Sequence, residues 1–181
     1  IAELTCDYSK QLFFLFFEFS DHRSGYWEKM VVGVNEIKVE LRESRNAKIQ
    51  STTFKPSDNW SASQGLNQFI TSHLQRAVKG EDFVTTFLLP AHLSTVKMLV
   101  TGLSSDGVLA QLEIKVKNPI LRLFAPRIEL VYELQSQRLL TYFANSNIYT
   151  ASGDKQTVFI DYDYPVMTAA TTPSLLPRKG P

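Results

Sequence analysis

Hydrophobic and polar residues alternate along most of this chain, which is the period of a sheet strand with one wet face. Between residues 36 and 43, Ile37, Val39 and Leu41 alternate with Lys38, Glu40 and Arg42. Gly33-Val34-Asn35 precedes them, so residues 26–33 and 36–43 are predicted to pair as a hairpin. Ser104-Ser105-Asp106-Gly107 marks a second turn, because Asp-Gly accommodates the positive φ of tight hairpins. It links Val96, Met98 and Val100 to Val108, Ala110, Leu112, Ile114 and Val116. Farther on, Ile128, Leu130, Tyr132 and Leu134 alternate with Arg127, Glu129 and Glu133. Turns at 135–137 and 152–155 then introduce a strand over about 138–145 and another through Val158, Ile160, Tyr162 and Tyr164. Such a run of hairpins predicts an antiparallel meander.

One segment changes period. Leu66, Phe69, Ile70, Leu74, Ala77 and Val78 recur at helical spacing and predict an amphipathic helix over 64–79. Ser61 with Gln64 has the form of a capping box, and Gly80 is a helix stop. The proline-bracketed residues 119–126 predict one short helical turn. Residues 12–19, LFFLFFEF, hold five phenylalanines and predict a strand apolar on both faces. In an antiparallel sheet such a strand needs two covers. The helix is expected to be one of them. The other is a second layer, a curved sheet closing on itself, a partner or a bound apolar molecule.

The expected fold class is therefore α+β and β-rich: a large, curved, half-barrel-like antiparallel sheet packed on one long amphipathic helix. Residues 1–165 are expected to form a single domain, and 166–181 an extended tail rich in Thr, Ala and Pro. The chain has 181 residues, long enough to bury a core without disulfides. It opens on Ile1 and not Met, as expected of a processed or trimmed product.

Charge and composition narrow the function. Nineteen Lys and Arg oppose eighteen Asp and Glu, so there is no general electrostatic case for nucleic acid. No run reaches the roughly 18 apolar residues of a membrane-spanning helix. Cys6 is the lone cysteine and is expected to be a small apolar filler. His22, His73 and His92 are too scattered for a shared metal, and no nucleophile elbow or phosphate-cradling loop occurs. Asp161 and Asp163 share a strand face, which suits a solvent edge as well as a cation. Asn59-Trp60-Ser61 has the form of a glycosylation acceptor. No catalytic residue, metal site or cofactor is expected. The densest polar cluster is Asp21, His22, Arg23, Tyr26, Trp27 and Glu28, a candidate binding lip because loops on a rigid sheet often carry function.

Three stretches, spanning Ile1 to about Tyr164, carry a resemblance: IAE…DYS…FEFSDHRSGYWE at the start, then residues 65–100, then LRLFAPRIELVYELQSQRLLTYFANSNI…SG…V.IDY. Together they resemble a family of bacterial envelope-associated proteins with no assigned activity, and they imply a location in the periplasm or envelope. The element order is also similar to periplasmic lipoprotein-carrier half-barrels, at the level of fold only. The resulting expectation is non-enzymatic binding of an apolar ligand, a lipid or acyl chain, in a cleft between sheet and helix. Phe13, Phe14, Phe16, Phe17, Phe69, Phe83 and Phe87 would wall that cleft. The competing expectation is an assembly protein with an apolar face for a protein partner or a second copy. An enzyme of unknown class comes third.

Overall fold

A computed structural model describes residues 1–8, 16–55, 57–63, 65–123, 125, 127–150 and 154–164, with backbone alone at 146–149 and 155. Its strands fall into two sheets. β1 (Ala2–Asp7), β2 (Phe16–Asp21), β3 (Tyr26–Val32), β4 (Ile37–Arg42) and β5 (Gln50–Phe54) form a five-stranded antiparallel meander in chain order. The chain then crosses to β6 (Trp60–Ala62), runs through helix α1 (Gly65–Val78) and returns as β7 (Phe83–Leu89). β8 (Ser94–Ser105), β9 (Leu109–Val116), the short helix α2 (Pro119–Arg122), β10 (Ile128–Glu133), β11 (Arg138–Tyr149) and β12 (Lys155–Asp161) follow. The second sheet has seven strands, ordered β12-β11-β10-β9-β8-β7-β6. All its pairs are antiparallel except β6 with β7.

The fold is thus α+β and β-rich, but with two sheets where the sequence pattern predicts one. The division has a local cause. Among the described residues β5 pairs only with β4, and Trp60, Ser61 and Ala62 instead pair with Thr86, Phe87 and Leu88. Ser61 therefore cannot cap a helix: it lies in β6, where its hydroxyl sits 2.9 Å from the Thr85 hydroxyl. Thr85 in turn donates to the Asn59 carbonyl at 3.0 Å. Gln64, the other half of the predicted box, lies outside the described residues, as do 12–15, 152–153 and the tail at 166–181.

α1 forms where its spacing predicts, with Gly65, Phe69, Ile70, Leu74 and Ala77 buried along one side. Its end is a Schellman motif. The Glu81 amide reaches the Arg76 carbonyl at 3.0 Å and the Gly80 amide reaches Ala77 at 2.9 Å, with Gly80 at φ 77°. The same Ala77 carbonyl presses onto β8. A β-carbon on Gly102 would stand 2.2 Å from it, so only glycine lets helix and strand approach this closely.

The interior is divided like the sheets. The larger core joins α1 to β7–β10 through Phe69, Ile70, Leu74, Val100, Leu112, Ile114 and Tyr132. The smaller one joins Phe17, Met30, Ile37 and Val39 of the five-stranded sheet to Ala62 and Leu88. β7 serves both, because alternate side chains of a strand face opposite ways. Phe83 and Phe87 turn toward α1, and Leu88 turns toward the five-stranded sheet. The β6–β7 margin is sandwiched, with the helix on one face and the smaller sheet on the other. A 3-10 turn at Pro90–His92 completes that seat, closed by Leu93 at φ 47°. The helix does not cover the described part of the phenylalanine-rich stretch, residues 16–19, contrary to expectation. What covers Phe17 is Ala62 and Leu88, with Leu93 beside them.

Candidate functional site

The phenylalanines proposed as one wall belong to different places. Phe69, Phe83 and Phe87 lie in the helix core, and Phe17 lies in the smaller core. Phe16 faces the other side of its sheet, beneath the Lys29 ammonium at 5.3 Å from the ring centre. Phe13 and Phe14 lie outside the described residues. Between α1 and its sheet the volume is taken up by the protein's own side chains: Phe69, Ile70, Leu74, Val100, Leu112 and Tyr132 are all buried there.

The polar lip also resolves into structure. Asp21 and residues 22–25 make the β2–β3 turn, in which the Asp21 carboxylate accepts from the Arg23 amide at 3.0 Å and from its guanidinium at 3.0 and 2.9 Å. Those bonds hold the Asp21 carboxyl down to about 2. Gly25, at φ 75°, lies so near the Arg45 backbone that a β-carbon would clash at 2.6 Å. His22 points its Nε2 to Glu3 at 3.4 Å. Beyond the turn the lip separates onto two faces. Trp27 faces outward and donates to Glu18 at 2.8 Å, whereas Tyr26 and Glu28 face inward. Glu28 is buried, and its carboxyl accepts from the Tyr26 hydroxyl at 2.7 Å. Burial pushes that carboxyl above the usual range, only partly offset by the tyrosine bond.

The remaining candidates fit structural roles. His73 stacks on Phe69 at 4.4 Å and bonds the Phe69 carbonyl through Nδ1 at 2.9 Å. Cys6 is half-buried and its thiol is pushed up by burial, away from the reactive thiolate. Asp161 is exposed on β12, and among the described residues no group of three or more potential metal ligands gathers.

What the fold leaves uncovered is more informative. α1 is about 21 Å long and about 10 Å wide, whereas seven strands at about 4.8 Å spacing make a sheet close to 30 Å across. The helix lies against β6, β7 and β8, so β11 and β12 extend beyond it. Tyr132, at the boundary, is buried and donates its hydroxyl to Asn67 of α1 at 2.7 Å. Burial pushes its phenol upward, and it does the same to Tyr142 and Tyr162 with help from neighbouring tyrosines. On the helix side of β12, Val158 and Ile160 continue this surface, with Ile160 38 % exposed. On the opposite side Phe159 is 63 % exposed, and its ring lies 6.5 Å from that of Phe143. Among the described residues β12 is thus the outer strand of its sheet, with apolar side chains on both faces. The alternation marks Val158 and Ile160 but not Phe159, although three consecutive apolar residues in the last strand of a meander are a readable sign of a two-faced edge.

A second apolar projection is α2. Ile120, Leu121 and Leu123 are exposed on or next to a four-residue turn none of whose residues is buried.

Comparison with known proteins returns no relative: no family model matches the chain, and no curated protein or solved structure matches it either.

Proposed function

We propose that the chain is a non-enzymatic assembly module that joins a second copy of itself edge to edge through β12. The observation that carries this reading is an outer strand apolar on both faces. Such an edge offers backbone donors and acceptors to another strand and apolar side chains above and below the new ladder. The strand is also self-complementary. Antiparallel pairing centred on Val158 brings lysine position 155 opposite aspartate position 161 and Thr157 opposite Phe159, while Val158 meets its own copy. Light scattering over a dilution series tests it. The native chain should pass from dimer to monomer on dilution, and Phe159→Lys should be monomeric throughout, because a lysine on an edge strand opposes pairing. A native chain monomeric at every concentration, or a variant that dimerises as well as the parent, would sink the proposal. The reading takes the bacterial envelope as its setting, on the sequence resemblance.

A second reading keeps an apolar ligand, an acyl chain, but moves it out of the filled space beneath α1. Half-exposed Tyr142 with Ile160 and Tyr162 beside the helix favours it. Native mass spectrometry of gently purified protein reads it directly, by the presence or absence of added lipid mass.

A further inference from the structure

The α2 projection has a use that the β12 edge does not supply. Its base is firmly built. The Asn118 side chain accepts from the amides of Ile120 and Leu121 at 2.9 and 3.2 Å, capping the turn. From the other end, Arg122 donates through Nε to the Val116 carbonyl at 2.9 Å and through a terminal nitrogen to Lys117 at 3.1 Å. On this fixed base Ile120 is 69 % exposed, Leu121 52 % and Leu123 81 %. Three large aliphatic side chains held out by a rigid turn contribute nothing to the protein's own core.

Their surroundings are basic. From Lys115 to Arg127 the chain carries four cations and no carboxylate. The backbone bond from Lys117 to Lys97, at 2.8 Å, brings a fifth alongside. The acids that flank this segment in sequence, Glu113 and Glu129, are engaged by Lys115 and Arg127 respectively. Among the described residues no ion pair engages Lys97, Lys117 or Arg122, so they add positive charge around the aliphatic tip. The chain's total charge is only +1, so this carboxylate-free run of four cations departs from its overall balance.

We infer that the α2 tip is a docking point for an anionic lipid surface, with Ile120, Leu121 and Leu123 entering the acyl boundary and Lys97 and Lys117 resting on the headgroups. Aliphatic insertion and cation–headgroup attraction together are the two signals that stable peripheral binding requires. A protein groove would suit the leucines alone. The cationic surround is what selects a negatively charged bilayer.

Co-sedimentation with vesicles tests it, using phosphatidylcholine alone and phosphatidylcholine mixed with phosphatidylglycerol. The full chain should pellet with the anionic vesicles and release as salt is raised. Lys117→Ala should weaken binding about fivefold, the effect of one cation near such a surface. Leu123→Glu should abolish binding with no change in thermal midpoint, since that side chain is exposed; Ile120→Ser gives a milder second check on the same tip. Phe159→Lys should bind vesicles as the native chain does, which separates this inference from β12 assembly. No pelleting with anionic vesicles at low salt overturns it, as does equal binding to neutral vesicles, or equal binding by Leu123→Glu and Ile120→Ser.

Discussion

The two cores are built by different means from similar side chains. The helix core is closed by an element that lies across its sheet, and its buried polar groups, Ser61 and Thr85, satisfy one another. Among the described residues the smaller core has no α-helix. One face of the five-stranded sheet rests on the rim of the other sheet, and a carboxylic acid, Glu28, is enclosed at its end. A sheet with only a rim to rest on borrows its stability from its neighbour. The strand that lends it, β7, is already committed to the helix on its other face.

The strongest way to break this picture is to empty each core in turn. Phe69→Ala and Phe17→Ala should each cost about 3–5 kcal/mol. Both tryptophans, Trp27 and Trp60, lie in or against the five-stranded sheet, so fluorescence follows that side while helical circular dichroism follows α1. The shared β7 predicts that the two signals move together in urea for either variant. Transitions that separate would show two independent units.

A smaller effect sharpens the helix side. Gly102→Ala puts a methyl group against the Ala77 carbonyl and should cost about 2–3 kcal/mol by forcing helix and strand apart. A variant with an unchanged urea midpoint would mean that this contact gives way easily.

The smallest effect belongs to Glu28. Burial raises its folded pKa above the unfolded value of 4.5, so the unfolded chain loses its proton first as pH climbs. Stability from this group is therefore complete below about 4.5 and declines as pH rises through the folded value. Glu28→Gln still accepts from Tyr26 and has no proton to lose, so its midpoint should fall less steeply over that window. An equally steep decline would move the titration to another group.

Much of this architecture is legible in the sequence. The alternations at 37–42 and 109–116, the turn at Asp106-Gly107, the helix stripe and the Gly80 stop all appear where their periods indicate. Alternation alone does not say which strands meet beyond a hairpin. β6, three residues long, shows no period, and Ser61 wears the appearance of a helix cap although its partner is Thr85, 24 residues away. For the same reason the single sheet became two, and the phenylalanines scattered. The candidate surfaces were legible only in part, because exposure depends on what another element covers: the pattern names 119–126 as a short turn but not its bare leucines.

The parallel seam between β6 and β7 also bears on how the chain leaves the ribosome. β1 to β5 are finished by Phe54, while Leu88 and Leu93, on which their inner face rests, emerge about forty residues later. At about 5–20 residues per second that is roughly 2–8 s, during which Met30, Ile37 and Val39 are without their seat. Over that interval these apolar side chains are expected to be exposed, and slowing elongation between 55 and 93 should lengthen the time they stay so.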